Sequence, residues 1–134
     1  MIDRLKQVLR ESDYSATSPR QTIFTVIADA GPLTPAAVAT ICAPQIDRAT
    51  AYRTIGLFEK LGIVNRLGDN VELSEIFTPH HHHATCQNCG MHIDITSPDL
   101  ERMIAHISKE SDFLALGHVL EISGYCKQCQ FQQV

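Results

Sequence analysis

The sequence predicts an α+β fold in two parts: a winged helix-turn-helix domain at 1–74 and a small α+β domain at 80–134, joined by a hinge at 75–79. Helical periodicity followed by a two-strand pattern characterises the first part. All seven histidines and four of the five cysteines belong to the second. The net charge of -4 also divides unevenly, because residues 1–70 carry eight Lys/Arg against seven acids and residues 71–134 carry three against eight. The two parts therefore differ in charge and in chemistry.

Three short helices are predicted first. Residues 3–11 repeat apolar side chains at spacings of three and four. A second helix begins at Ser18-Pro19 and ends at Gly31-Pro32, with its apolar stripe reaching Ala30. A third begins at Thr34-Pro35, ends at Pro44, and is expected to bury Val38 and Ile41.

The segment 47–61 is predicted to be a two-faced helix capped by Asp47. Ala51, Ile55 and Phe58 share the core side, while Arg53 and Lys60 lie opposite, among small residues that let a surface approach closely. Because a hairpin at 63–73 follows, with its turn at 68–70, the pattern predicts a winged helix-turn-helix whose fourth helix enters the major groove. A solvated amphipathic face is the competing interpretation. The candidate DNA-contacting residues are Thr50, Tyr52, Arg53 and Lys60.

Two Cys-x-x-Cys pairs give the strongest spacing signal. Cys86 and Cys89 are matched by Cys126 and Cys129, and two such pairs supply four thiolates to one tetrahedral Zn²⁺. Disulfides and a redox motif are less favoured in a chain with no export signal. Cys42 is left over and is predicted to be a buried apolar residue.

The rest of the second part is predicted as a strand at 91–95, a helix beginning at Ser97-Pro98, and a strand at 116–122. Its apolar faces exceed what so short a segment covers alone, so we expect a two-fold dimer. No run approaches the roughly 18 apolar residues of a membrane span. We expect a soluble cytoplasmic protein without a membrane partner.

Four consecutive histidines, residues 80–83, precede the first cysteine pair. An expression tag is the plain alternative, but the position inside the chain argues against it. Side chains of an extended segment alternate faces, so one tract can serve two metal sites. Glu72, Asp94 and Glu101 are carboxylates available to complete either ligand set.

These residues together resemble the ferric uptake regulator family. The resemblance rests on Arg20, the Thr-Ala-Tyr-Arg-Thr segment 50–54, the Val-Glu-Leu segment 71–73, the histidine tract with Cys-x-x-Cys-Gly, and the later series His118, Glu121, Gly124 and Cys126-x-x-Cys129. It covers nearly the whole chain. It implies a dimeric, metal-responsive repressor that binds a double-stranded DNA operator, and it adds Arg20 to the expected DNA-binding residues.

The resemblance also implies three metal sites. Structural zinc falls on the four paired cysteines. A hinge regulatory site falls on Glu72, His81, His83 and Asp94, and a dimerisation-domain site on His80, His82, Glu101 and His118. The regulatory ion is expected to be Fe²⁺, Mn²⁺ or Zn²⁺, and the lack of a cysteine near Glu72 favours the first two.

Four alternatives remain open at the level of the sequence. Glu75 is a rival to Glu72, because the interval to the histidines is longer than the family's. The chain could sense peroxide through oxidation of a histidine ligand. A metalloenzyme using the histidine tract, or a zinc-stabilised interaction module without DNA affinity, would be a different class of protein; we expect no enzyme, since no long or Gly-rich substrate loop is present.

Overall fold

A computed structural model describes residues 1–132, so the last two residues of the predicted second domain lie outside it. The chain divides into two compact units, Met1–Pro79 and His80–Val134. The elements of the first are α1 (Ile2–Glu11), α2 (Ser18–Ala30), α3 (Pro35–Cys42), α4 (Arg48–Lys60), β1 (Val64–Leu67) and β2 (Asn70–Leu73). Those of the second are β3 (His82–Cys86), β4 (His92–Ile95), α5 (Pro98–Glu110), β5 (Glu121–Gly124) and a 3₁₀ turn at Gln130–Gln132.

The helix boundaries of the first unit follow from their capping residues. Thr34 accepts a hydrogen bond from the Ala37 backbone N–H at 3.1 Å and is followed by proline, so α3 starts where a cap and a fixed φ coincide. Gly31 ends α2 with a φ of +71°, a conformation that favours glycine. The predicted starts and ends of these helices are confirmed within a residue or two.

The first unit has a continuous hydrophobic core. α1, α2, α3, α4 and the β1–β2 hairpin all contribute fully buried side chains, among which Phe24 and Phe58 are the largest. β1 and β2 are antiparallel, and Leu33 extends the hairpin by exchanging backbone hydrogen bonds with Val71. Phe77, in the predicted hinge, packs against this core with its ring centroid 4.9 Å from that of Phe24.

Two predicted core positions of this unit are wrong. Ile41 is 54% exposed, and Ala30 is exposed at the end of α2. The buried positions of α3 are Val38, Ala39 and Cys42, because the helix turns its Ala39–Cys42 side inwards. Cys42 is therefore buried, as predicted.

The second unit is a three-stranded sheet of order β4-β3-β5 with one helix. β3 is antiparallel to β4 and parallel to β5. Ser97 caps α5 by accepting the Leu100 backbone N–H at 3.2 Å. The strand predicted at 116–122 is wrong in extent, since only Glu121–Gly124 pairs with β3 and the preceding apolar segment is exposed.

Across the part of the chain that the structure describes, no helix has both the length and the apolar character to cross a bilayer.

Candidate metal centres and nucleic-acid interface

Four cysteine thiols converge at one end of the second unit. Cys86 ends β3, Cys89 follows it in a turn, and Cys126 and Cys129 lie in a turn after β5, with all four sulfur atoms within 4.8 Å of one another. The parallel pairing of β3 with β5 brings the two turns together, because Cys86 is in register with Gly124.

The spacing of the sulfur atoms fits a tetrahedral zinc ion. Zn–S bonds of about 2.3 Å at tetrahedral angles place sulfur atoms about 3.8 Å apart. The Sγ atoms of Cys89 and Cys126 are 3.8 Å apart. No disulfide forms among these cysteines, which are all free thiols. The donor set and its spacing therefore fit structural Zn²⁺.

The thiols of this cluster are not chemically equivalent. Hydrogen bonds from the backbone N–H groups of Cys89 and Cys126 lower the pKa of Cys86 to about 6. The Asn88 amide donates to the Sγ of Cys129 at 3.3 Å and lowers its pKa, but hydrogen bonding with Cys126, burial and the other thiols outweigh this and raise it to about 11. Four neighbouring thiols resist simultaneous ionisation because their thiolates would repel one another. A bound divalent cation would offset that repulsion and allow all four to ionise.

A second cluster lies in the same unit. The Glu101 carboxylate, on α5, is 2.7 Å from Nε2 of His82, 2.8 Å from Nε2 of His118 and 3.5 Å from Nε2 of His80. The Nε2 atoms of His80 and His118 are 3.0 Å apart. Bonds of about 2.0–2.1 Å to a tetrahedral ion would separate these donors by about 3.4 Å. Small side-chain shifts would admit an ion, and the three-nitrogen, one-oxygen set suits Zn²⁺, Fe²⁺ or Mn²⁺.

Burial and charge distinguish this second cluster. His82 is only 3% exposed. The hydrogen bond with His82, together with the charges of His118 and His80, lowers the pKa of Glu101. Glu101 therefore stays ionised at neutral pH and is a ready ligand.

The alternating histidines of β3 produce a third group on the opposite face of the strand. His83 is 5% exposed, with its Nε2 3.6 Å from Oδ1 of Asp94, its partner in register on β4. The ring centroids of His81 and His83 are 4.8 Å apart. The structure thus brings three of the four predicted hinge ligands together within one unit. Glu72 lies on β2 of the other unit, in register with Asn65, and Glu75 lies in the turn after it.

The candidate DNA surface is the exposed side of α4. The Asp47 carboxylate accepts hydrogen bonds from the backbone N–H of Thr50 at 3.0 Å and from its hydroxyl at 2.5 Å, which fixes the start of the helix. Tyr52, Arg53 and Lys60 are exposed. Arg53 donates to the Thr50 hydroxyl at 3.3 Å. The predicted separation of a core side from a cationic side is present.

Two arginines outside that cationic side each lie over a tyrosine ring. Arg20, near the start of α2, donates to the Ser15 carbonyl at 2.7 Å and lies over the Tyr14 ring at 5.4 Å. Arg48 is the first residue of α4, and its guanidinium carbon lies 5.4 Å from the centroid of the Tyr52 ring. This contact was not predicted from the sequence. The position of Arg48 four residues before a tyrosine was the available signal.

The chain is similar in sequence and in structure to known proteins. Residues 11–123 match the ferric uptake regulator family. The chain belongs to this family. Its members are transcription regulators, and the two-unit α+β fold with a four-cysteine cluster agrees with that membership.

Individual relatives are similar over most of the chain. The ferric uptake regulation protein of Campylobacter jejuni is 30% identical over 99% of this chain and 90% of its own length. The peroxide-responsive repressor PerR of Staphylococcus aureus is 37% identical over 65% of this chain and 60% of its own. Among solved structures, the ferric uptake regulator of Francisella tularensis with iron is 29% identical, with a TM-score of 0.73 over 87% of this chain and 95% of that one.

Proposed function

We propose that this protein is a metal-responsive, DNA-binding transcriptional repressor that acts as a homodimer. The observation that carries the proposal is the pairing, in one ferric uptake regulator family chain, of a winged-helix unit with a cationic face on α4 and a unit rich in converging metal ligands. The first supplies contacts to a duplex, and the second supplies sites that respond to divalent ions.

The Cys86, Cys89, Cys126 and Cys129 cluster is proposed to hold structural Zn²⁺. The regulatory ion is proposed to be Fe²⁺, Mn²⁺ or Zn²⁺, because imidazole and carboxylate donors accept all three. The F. tularensis relative, described with iron, supports the first of these.

Regulation is proposed to depend on ligands from both units. Glu72 closes the wing, whereas His81, His83 and Asp94 belong to the second unit. Their binding to a common ion would fix the angle between the units and hence the spacing of the two recognition helices in a dimer. About 1–3 kcal/mol of coupling between sites corresponds to roughly 5- to 150-fold in DNA affinity.

The dimer is proposed to form through the second unit. Its helix and the segment after it expose Met103 (60%), Ile107 (55%), Leu116 (94%) and Val119 (89%). Such a concentration of exposed apolar side chains marks an interaction surface. A two-fold copy would bury it and place two α4 helices on one duplex.

A metal titration tests the proposal. The dimer, stripped of its regulatory ions, is titrated with Fe²⁺, Mn²⁺ and Zn²⁺ while its binding to a duplex selected from a random-sequence pool is measured by fluorescence anisotropy. We expect affinity to rise at least fivefold with one or more ions. An identical affinity before and after metal addition would remove the sensor function.

Matched variants assign the contribution of the wing. Glu72→Gln should retain folding and zinc content but lose the metal-induced gain in DNA affinity. Glu75→Gln, three residues away, should behave like the unaltered protein. The reverse result would make Glu75 the ligand.

Similarity to PerR supports peroxide sensing as a second candidate. In that case hydrogen peroxide would oxidise a histidine ligand of the Fe²⁺-loaded protein, and the oxidised protein would dissociate from DNA. The Mn²⁺-loaded protein would be unaffected. Mass spectrometry after peroxide treatment separates the candidates, since oxygen addition at His81 or His83 would occur only in a peroxide sensor.

A catalytic role is not part of the proposal. The second cluster offers four protein donors, which complete a tetrahedral shell, whereas catalytic zinc sites keep one position open. Because operator DNA is the proposed ligand, we place the protein in the compartment that holds the DNA, the cytoplasm.

A further inference from the structure

At the start of α4, Arg48, which is not among the predicted DNA-contacting residues, pairs with Tyr52, which is one of them. The guanidinium carbon of Arg48 lies 5.4 Å from the centroid of the Tyr52 ring, within cation–π range. Nη2 of Arg48 also donates a hydrogen bond to the Tyr52 hydroxyl oxygen at 3.3 Å. Arg48 therefore touches both the ring and its polar end.

The pair constrains a side chain that would otherwise rotate freely. Residues four apart are neighbours on a helix surface, and Tyr52 is 41% exposed. Because its hydroxyl oxygen accepts a bond from Arg48, the hydroxyl hydrogen points elsewhere and stays available as a donor. Residues near the start of a recognition helix are those that reach base edges.

We propose that Arg48 is a positioning residue for operator recognition: it holds the Tyr52 ring and hydroxyl in one orientation before DNA binds, and thereby contributes to sequence discrimination. This inference rests on the proposed function of α4. The preorganised side chain loses less conformational freedom on binding than a mobile one would.

A direct contact between Arg48 and a phosphate is the competing role, and it differs measurably. A lost phosphate contact weakens binding to all sequences and reduces the salt slope by about 0.9. A lost positioning contact weakens binding to the preferred sequence and leaves the slope unchanged.

The experiment uses the metal-loaded full-length dimer and the duplex that it selects from a random-sequence pool, with a scrambled duplex for comparison. Arg48→Lys keeps the charge but removes the planar guanidinium, which stacks on rings as an ammonium does not. It is measured alone and combined with Tyr52→Ala. Arg10→Lys, on α1, is the matched control.

Arg48→Lys should lower affinity for the selected duplex about two- to fivefold, the range that an exposed cation–π contact of about 0.5–1 kcal/mol gives. The affinity of Arg48→Lys for the scrambled duplex should be unchanged, as should the affinity of Arg10→Lys for both duplexes. The salt slope is compared in Arg48→Ala, which removes the charge, and it should equal that of the unaltered protein. In the Tyr52→Ala background the Arg48→Lys effect should disappear.

Two outcomes would overturn the inference: an Arg48→Lys variant identical to the unaltered protein, or a loss of equal size in the Tyr52→Ala background. Failure of the proposed function would look different. In that case the unaltered protein would select no sequence, and Arg53→Ala would leave DNA binding unchanged.

Discussion

Removal of the structural zinc should unfold the second unit and leave the first folded. The reason is the location of the core. Every member of the buried hydrophobic cluster lies between Leu5 and Leu73. Among the described residues of the second unit, the buried side chains are Cys86, Cys129, His82 and His83, which are all proposed metal ligands.

The magnitude follows from this distribution. Full burial of a large apolar side chain contributes about 1.5–3 kcal/mol, and the second unit has no buried aliphatic or aromatic side chain among its described residues. Structural zinc contributes about 10–16 kcal/mol in small zinc modules at pH 7. Zinc binding would thus be the largest single contribution to the folded second unit, and among the described residues of one protomer no buried apolar side chain replaces it.

The test is Cys126→Ser, with chelation of the unaltered protein as an independent route. We expect zinc content to fall to zero, backbone amide resonances of residues 80–132 to collapse to random-coil shifts, and size-exclusion chromatography with light scattering to show a monomer. Resonances of residues 1–79 should stay dispersed. Cys42→Ala is the matched control, because Cys42 is a buried cysteine outside the cluster and its loss should spare zinc content and dimerisation. A zinc-free protein that remains dimeric with a folded second unit would refute the reasoning.

Further outcomes test the remaining contacts. Phe58→Ala should lower the free energy of unfolding by about 3–5 kcal/mol in urea titrations, whereas exposed Lys60→Ala should change it by less than about 0.5. Hydrogen bonds from Thr50 lower the pKa of Asp47 below its ordinary value of 3.8, so the helix cap is intact above pH 3.8 and is lost as the pH falls through the lowered pKa. The Thr50 amide resonance should therefore titrate with a midpoint below pH 3.8, and a midpoint at or above pH 3.8 would exclude the cap. Asn88→Ala should speed zinc transfer to a chromogenic chelator, because an N–H···S bond to Cys129 is lost, and an unchanged rate would leave Asn88 without a role at the metal. Glu101→Gln should remove one bound divalent ion per protomer, measured by elemental analysis; full metal content would disprove the second site.

The sequence predicted the first unit well because its structure follows from local rules. Caps at Thr34 and Asp47 and the turn at Gly68-Asp69 each fix a boundary with a named hydrogen bond or a positive φ. Ile41 was misplaced because α3 has only eight residues, all but one of them apolar or small, so periodicity does not determine which side faces the core.

The metal clusters were predictable for a different reason. Cysteine spacing specifies a four-thiolate site without reference to the fold, and alternation along β3 separates His82 from His83. Periodicity could not predict which side chains from other elements lie against each face of β3. The pairing of Glu101 with His82 and His118 depends on how α5 returns to the sheet, which is a tertiary property.

The strand misjudged at 116–122 shows the same limit. Its alternating apolar residues are those of a strand, but a strand also needs a neighbour to accept its backbone hydrogen bonds. Among the described residues, only Glu121–Gly124 of this region pairs with a neighbouring strand, β3. The segment before it, with Leu114 85% and Leu116 94% exposed, has the composition of a structure completed by another molecule.

The placement of ligands in the second unit explains how a regulator can be built from so few residues. A sensor needs an element with two states and an ion that binds one of them more tightly than the other. In this unit His82, His83 and Cys86 occupy the positions on β3 that a hydrophobic core would take, and buried side chains of this kind need polar or ionic partners, as the Glu101 carboxylate is for His82. If these side chains hold ions as proposed, metal binding and the order of the sheet are coupled, and adjacent residues of one strand extend that coupling to both of its faces.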